Sequence, residues 1–321
     1  MSPAEFVAAR GSDLLRASRE TLDAGIIDAA LAMPRAYLRR VSILAIVAAL
    51  AYALAYALLP EIDGGAARAA QTSREARMTS VLRVCADANN LPYSNKMEEG
   101  FENEIAQLIA GELGLSVRYT WWPQTIGFVR NTLRLRRCDL IAGIGSGNEL
   151  VQNTNAYYRS VYTMVYRGNS GLQATTLSDP KLKSLRFGVV AGTPPATLLA
   201  MYDLIGQARS YQLTVDTRYF SPARQAIDDV AAGIIDVALI WGPIAGFFAK
   251  QQTVPLVVVP LLNEMAKVRL DFRVSMAVRI NEPNWKRQVN DILERLQPKI
   301  HVILKEYGVP LLDEQGRLIA D

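Results

Sequence analysis

The sequence predicts an α/β protein of two similar lobes that follows an N-terminal hydrophobic export segment. Three observations support this prediction: an uncharged run near the N-terminus, alternating strand and helix patterns from Val81 onward, and a second round of that alternation from Arg186. Of the 321 residues, 50% are hydrophobic and 21% are charged, which excludes a disordered or fibrous chain. The net charge of +4 comes from scattered basic residues, so nucleic-acid binding is not expected.

The uncharged run covers residues 41–59 and follows Arg35, Arg39 and Arg40. It is long enough to cross a bilayer, and the preceding positive charges are typical of the cytoplasmic side. In one interpretation this run is an uncleaved anchor, and residues 1–40 stay in the cytoplasm.

In the second interpretation residues 1–40 reflect a mis-assigned start, and translation begins at Met33. Residues 33–40 are then a basic n-region, 42–59 the h-region, and Ala67-Arg68-Ala69 a small-x-small cleavage site. We favour cleavage because the run is rich in alanine and short for an anchor. In both interpretations residues 60–78 are a linker, and the rest of the chain is exported to the periplasm.

The two cysteines lie in separate apolar runs, Cys85 in 81–86 and Cys138 at the start of 138–144. Export to an oxidising compartment favours a disulfide between them, and two buried thiols are the alternative. There is no CxxC motif and only one histidine. We therefore predict neither a metal site nor catalytic residues, and we interpret His301 as structural.

In the first lobe, helical spacing of apolar residues predicts a helix at 100–113, and a second helix is expected at 126–137. The strand patterns are 81–86, 117–122, 138–144 and 160–166. The spacing of Arg130, Arg134 and Arg137 places all three on one side of the second helix. This basic side is either a solvated face or a surface that binds an acidic partner.

The second lobe repeats this order. Its strand patterns are 186–190, 215–219, 237–241 and 274–280, and its helix patterns are 196–205, 222–232 and a C-terminal 283–307 broken near Pro298. The predicted lobes are residues 79–162 with 273–321, and residues 163–272, joined by extended crossings at 163–167 and 271–275. Ligands of such sheets bind beyond the carboxyl ends of the strands, here in the cleft between the lobes.

Candidate cleft residues follow the ends of the predicted strands. They are Asp87, Asn89, Asn90, Tyr93, Ser94, Trp121, Trp122, Gln124, Gly145, Ser146, Thr193 and Trp241. The group at 87–94 binds a polar ligand or partner, or is an Asx-rich turn. One of the two adjacent tryptophans should face the lobe and the other the cleft or a partner, since strand neighbours alternate, unless both are core. The apolar strip 241–248 is a docking surface or packs within its lobe.

Over residues 79–310 the chain resembles the family 3 (type II) periplasmic solute-binding proteins. The matching motifs occur in the family's order: Leu91-Pro92-Tyr93-Ser94, Gly100-Phe101-Glu102, Cys138-Asp139-Leu140-Ile141, Tyr157-Tyr158, and 233–238 (GIIDVA). This resemblance implies the two-lobe periplasmic binding protein-like fold.

A narrower resemblance rests on YTWWPQ at 119–124, GFVRNTL at 127–133 and WGPIAG at 241–246. These blocks are similar to those of the quinoprotein dehydrogenase-associated proteins, the J-proteins of methanol oxidation (MxaJ/XoxJ type). Members of that family accompany PQQ-dependent alcohol dehydrogenases and their c-type cytochromes, and are thought to help mature or activate the dehydrogenase. Amino-acid-binding relatives hold the ligand carboxylate with an arginine after the third strand. Here residues 145–151 contain Glu149 and no arginine, so an amino-acid ligand is not expected.

We therefore expect a non-enzymatic periplasmic accessory protein that binds a PQQ-dependent methanol dehydrogenase, and possible partners include its c-type cytochrome. The chain itself should bind no cofactor, since PQQ belongs to the partner enzyme, and it should meet the membrane only through an uncleaved N-terminal segment. The alternative is the solute receptor of an ABC transporter for a small polar ligand. An enzyme such as a dehydratase is disfavoured, because the candidate acids Asp87, Glu102 and Glu149 are scattered.

Overall fold

The computed structural model describes residues 80–213 and 215–319, and within them nine strands form one continuous mixed sheet. The strands are β1 Val81–Ala86, β2 Asn89–Asn90, β3 Ser94–Asn95, β4 Ser116–Trp121, β5 Leu140–Gly145, β6 Gln152–Arg167, β7 Phe187–Val190, β8 Ala208–Tyr211, β9 Val237–Trp241, β10 Leu256–Pro260 and β11 Asp271–Val278. The helices are α1 Phe101–Glu112, α2 Phe128–Asn131, α3 Pro194–Met201, α4 Pro222–Ala231, α5 Gly242–Lys250 and α6 Pro283–Glu306. Short 3-10 turns lie at Leu133–Leu135, Gly168–Ser170, Pro180–Ser184, Ile205–Gln207 and Leu262–Glu264.

The predicted n-region, hydrophobic run and linker, residues 1–40, 41–59 and 60–78, lie outside the described residues. Within the part of the chain that is described, no helix has both the length and the apolar character that crossing a membrane requires.

The sheet has the order β4-β1-β5-β11-β6-β9-β7-β8, with β10 also paired to β6 and with β2 and β3 forming a separate pair. Strands β4, β1 and β5 are parallel to one another, as are β8, β7 and β9. Strand β6 is common to both groups: it pairs with β11 up to Val161 and with β9 from Tyr162 onward. We call the group with β1, β4, β5 and β11 lobe 1, and the group with β7 to β10 lobe 2.

Each lobe has its own apolar core. In lobe 1 the α1 side chains Phe101, Ile105 and Ile109 are completely buried between the sheet and α6, where Ile300 is also buried. Their spacing of three to four residues is the helical periodicity that predicted this helix. Lobe 2 is packed around the β7 and β9 side chains, among them the fully buried Phe187.

The two cysteines form a disulfide bond, as the sequence predicts. Cys85 is in β1 and Cys138 lies two residues before the start of β5. Their Cα atoms are 5.5 Å apart because β1 and β5 are adjacent parallel strands. Both residues are buried, and Phe128 and Leu133 belong to the same apolar cluster. The bond ties the middle of the lobe 1 sheet together.

The predicted strand at 215–219 is wrong. The strand beside β7 is β8, and residues 216–220 form a turn in which Tyr219 N donates to Asp216 O at 3.1 Å. The Asp216 carboxylate also accepts from Arg218 N at 3.1 Å. Such a local partner for the backbone competes with strand pairing, which the alternation of apolar and polar residues does not reveal.

The predicted single helix at 126–137 is also wrong. The short α2 ends because Thr132 has φ −123° and ψ −86°, and a 3-10 turn follows at Leu133–Leu135. Arg136 then takes a left-handed φ of 56°. The expected shared helix face is therefore absent for the basic residues Arg130, Arg134 and Arg137.

Two proline-containing segments are helical, and the predicted break near Pro298 is wrong. Helix α6 continues through Pro298, which lies on its exposed side, while the buried face continues from Leu296 to Ile300. Gly242 and Pro243 begin α5, where a proline in the first turn lacks only an N–H that would be unpaired anyway. Five residues of α5 are buried, so the strip 241–248 packs largely within the protein.

Candidate functional site

A cavity of about 640 Å³ lies between the lobes, at the carboxyl ends of the parallel strands. Its volume is in the usual range for small-molecule sites. Residues from both lobes line it. The predicted cleft residues that line it are Asn89, Asn90, Tyr93, Gln124, Gly145, Thr193 and Trp241.

The other five predicted residues lie elsewhere. Trp121 and Trp122 line a second, neighbouring depression between the lobes, together with Asp87 of lobe 1 and with Asp216 and Arg218 of lobe 2. Ser94 is buried and donates from Oγ to the Asp87 carbonyl at 2.8 Å, and Ser146 is exposed outside both depressions. Their roles are therefore not those of groups facing the main cavity.

Asp87 connects the two lobes. It is 1% exposed, and its Oδ2 accepts from Gln124 N at 2.7 Å and from Thr217 Oγ1 at 2.6 Å. Asn89 Nδ2 donates across the same gap to the Thr217 carbonyl at 2.8 Å. Thr217 belongs to the lobe 2 segment between β8 and α4, so these bonds fasten that segment over one side of the cavity.

Aromatic side chains from three neighbouring strands form one wall. Tyr162 of β6, Trp241 of β9 and Phe272 of β11 make edge-to-face contacts with ring centroids 5.2 to 6.3 Å apart. Burial raises the pKa of Tyr162 to about 12, so its hydroxyl stays neutral near neutral pH. Tyr93 and Tyr158 also line the cavity.

Glu102 brings a carboxyl into this aromatic environment. It is 7% exposed, lines the cavity, and accepts no hydrogen bond at its carboxyl from any described residue. Burial raises its pKa from 4.5 to about 8. The carboxyl lies directly against Gly143 of β5, where a Cβ atom would overlap Oε1. Gly143 therefore makes room for the acid.

The start of α1 is positioned by close backbone contacts. Phe101 N donates to Pro92 O and Glu102 N to Tyr93 O, each at 2.9 Å. A Cβ at Gly100 would collide with the Tyr93 carbonyl, so the sequence needs glycine there. These contacts fix Tyr93 and Glu102 relative to each other.

Sequence reasoning missed several lining residues: Tyr158, Tyr162, Phe272, Thr217 and Gly143. Glu102 was considered only as a scattered acid. One signal could have placed it: Ile105, Ala106 and Ile109 lie three, four and seven positions later, which puts Glu102 on the buried stripe of α1.

The charge of the cavity argues against an anionic ligand. Among its described lining residues there is no lysine, arginine or histidine, and Glu102 is the only carboxyl. Within the described residues no group of three or more His, Cys, Asp or Glu side chains is arranged to hold a metal ion.

Two α/β lobes that share long strands, with the cavity at the strand ends, define a type II periplasmic binding protein. The fold is shared with an ancestral cationic amino acid solute-binding protein at 19% identity and a TM-score of 0.60, over 74% of this chain and 99% of that chain. No profile of a known protein family matches the chain.

The chain belongs to the MoxJ/XoxJ family of periplasmic binding proteins. It is 31% identical to protein MoxJ of Methylorubrum extorquens over 250 residues, 72% of this chain and 81% of MoxJ. Periplasmic binding protein XoxJ from Methylobacterium extorquens AM1 is 44% identical in sequence. Its crystal structure matches with a TM-score of 0.63 over 73% of this chain and all of XoxJ. MxaJ from Methlophaga aminisulfidivorans is 30% identical, with a TM-score of 0.65 over 72% of this chain and all of MxaJ.

Proposed function

We propose that this chain is a non-enzymatic periplasmic accessory protein of a PQQ-dependent methanol dehydrogenase, which it binds and helps to mature or activate. Membership of the MoxJ/XoxJ family and the periplasmic binding protein fold support this role. In this proposal PQQ is held by the dehydrogenase, and a c-type cytochrome is a further possible partner.

The observation that carries the proposal is an apolar rim at the mouth of the interlobe cavity. We define the cleft rim as Ile126 of lobe 1 with Leu213 and Phe220 of lobe 2. These side chains are 87%, 57% and 42% exposed. Large apolar side chains exposed together around a cavity are typical of a protein-binding surface rather than of a solvated one.

The rim spans both lobes, so the binding of a partner to it depends on the relative position of the lobes. The interlobe bonds from Thr217 to Asp87 and from Asn89 to Thr217 would form or break as the lobes move. Hinged lobe movement is the usual switch of two-lobe binding folds. Lobe closure is therefore a physical means by which binding of the dehydrogenase is coupled to a change in the conformation of this protein.

The test is direct binding between the periplasmic form of this protein and a quinoprotein dehydrogenase, both purified from its own bacterium. The double variant Ile126→Asp/Phe220→Asp should weaken binding at least tenfold, because two apolar contacts are replaced by desolvated charges. Ile280→Asp is the matched control, since Ile280 is 56% exposed but does not line the cavity. No binding to, and no effect on, any quinoprotein dehydrogenase of the source bacterium would refute the proposal.

The same preparation tests the N-terminus. We propose cleavage after Ala69, so the mature chain should begin at Ala70 in intact-mass and N-terminal sequence measurements. A chain recovered in the membrane fraction with residues 41–59 intact would show an anchor instead.

A second candidate function is the receptor of an ABC transporter for a small polar ligand. It is favoured by the amide and hydroxyl groups that Asn90, Gln124 and Thr193 contribute to the cavity wall. A small molecule retained in native mass spectra, together with absence of dehydrogenase binding, would establish this function in place of the first.

A further inference from the structure

The carboxyl of Glu102 has no charged partner in the cavity that it lines. Its oxygens accept no hydrogen bond from the described residues, and no cationic side chain of those residues lines the cavity. Burying a carboxylate in this way is costly unless something else compensates its charge. The fold nevertheless accommodates it, since Gly143 leaves the space that the carboxyl occupies.

Aromatic side chains line the same cavity on several sides. They come from the segment before α1 and from strands β6, β9 and β11: Tyr93, Tyr158, Tyr162, Trp241 and Phe272. An ammonium group is attracted by aromatic faces and by a carboxylate, and the two attractions together distinguish it from neutral or anionic ligands.

We propose that the interlobe cavity binds an organic ammonium group, with the Glu102 carboxylate as its counter-ion and the surrounding aromatic rings as its cage. The group belongs to a free alkylammonium ion or to a lysine side chain of a bound protein, which share this chemistry. A cationic amino acid is a poor fit, because the described cavity wall offers no arginine or lysine for its carboxylate. A metal ion is a poor fit as well, since Glu102 is the single carboxylate on that wall.

Binding of the cation should depend on pH through Glu102. The titratable groups closest to it on neighbouring elements are the hydroxyls of Tyr93, Tyr119, Tyr157 and Tyr158, whose pKa values burial raises to about 12 for Tyr119 and well above 10 for the others. These tyrosines stay neutral between pH 6 and pH 9. Glu102, with a pKa of about 8, must lose its proton when the cation binds.

The experiment is calorimetric titration of the periplasmic form with tetramethylammonium chloride, whose charge does not change with pH. The affinity should rise about ninefold from pH 6 to 7 and about fivefold from pH 7 to 8, and should gain less than about twofold above pH 8. At pH 7, two buffers of different ionisation enthalpy should show release of nearly one proton. Neopentyl alcohol, a neutral molecule of similar shape, should bind at least tenfold more weakly at pH 8.

Glu102→Gln should lower the affinity at least tenfold at pH 8 and abolish its pH dependence. Glu112→Gln is the matched control on the same helix: Glu112 is exposed and pairs with Arg295 at 3.4 Å, so its loss should leave binding unchanged. Absence of tetramethylammonium binding at every pH, or equal binding by wild type and Glu102→Gln, would overturn the proposal.

A second arm identifies the source of the ammonium group. If n-butylammonium, which mimics a lysine side chain, displaces the dehydrogenase, the cavity accepts a partner lysine; if it binds without displacement, the ligand is a free amine. Both results support the ammonium site. If the protein binds the dehydrogenase but no ammonium ion, only the ammonium site is rejected. If it binds the ammonium ion but no quinoprotein dehydrogenase, only the proposed partner is rejected.

Discussion

Replacing Glu102 by glutamine should stabilise the protein at alkaline pH and have little pH-dependent effect below pH 4.5. Burial raises the pKa of this carboxyl from 4.5 to about 8 in the folded protein. Below pH 4.5 the carboxyl is protonated in both states. Between pH 4.5 and 8 the unfolded chain releases the proton while the folded chain keeps it, so the free energy of unfolding falls as pH rises. Above pH 8 both states are ionised and the penalty is constant.

The magnitude follows from that interval. Each pH unit contributes about 1.4 kcal/mol, so the full penalty above pH 8 is about 5 kcal/mol, an upper figure for a group that is 7% exposed. Glutamine has nearly the same shape and no charge, so the variant should lack most of this loss in unfolding free energy. The difference in unfolding free energy between variant and wild type should therefore grow steadily between pH 5 and pH 8.

Urea unfolding followed by tryptophan fluorescence at pH 5, 6, 7, 8 and 9 measures this difference with the disulfide intact. Glu112→Gln, an exposed acid on the same helix, should follow the wild-type curve within about 0.5 kcal/mol. Parallel pH curves for wild type and Glu102→Gln would refute the argument, because they would mean that the carboxyl ionises as readily in the fold as in the unfolded chain.

Three further variants test the packing of the protein around the cavity. The double variant Cys85→Ala/Cys138→Ala opens a loop with a sequence separation of 53; thermal denaturation should show a loss of about 4 kcal/mol in the chain-entropy description, and an unchanged melting temperature would contradict it. Gly246→Ala should cost about 1–3 kcal/mol, because its Cβ would overlap the carbonyl of Gly308. Gly111→Ala, a helical position with open space around it, should instead stabilise by about 0.5–1 kcal/mol, and equal effects of the two glycine variants would argue against that close packing.

Local patterns in the sequence were enough to predict the fold class, since the period of apolar residues is a property of a short segment. Helix α1 was predictable because Phe101, Ile105 and Ile109 repeat at helical spacing. The disulfide was predictable because both cysteines lie in apolar runs of an exported chain. The strand predicted at 215–219 is wrong because a local hydrogen bond competes with strand pairing: the Asp216 carboxylate accepts from the backbone N–H of its own turn.

Part of the candidate site was predictable for a related reason. Asn89, Gln124 and Thr193 follow the ends of parallel strands, and such ends meet at one edge of a sheet whatever the details of packing. The assignment of Trp121 to the ligand cavity remains a prediction without support from the geometry, because that side chain lies in the neighbouring depression.

The sequence by itself thus determined the α/β class, the order of most strands and helices, the disulfide and the strand-end residues of the cleft, because each depends on a local pattern or on a general rule of sheet topology. Only the tertiary structure decided that Tyr162 and Phe272 share a wall, that Thr217 reaches Asp87 across the lobes, and that Glu102 lies against Gly143. These contacts join residues up to 130 positions apart. Their existence depends on how two independently packed lobes approach each other, and no periodicity along the chain encodes that approach.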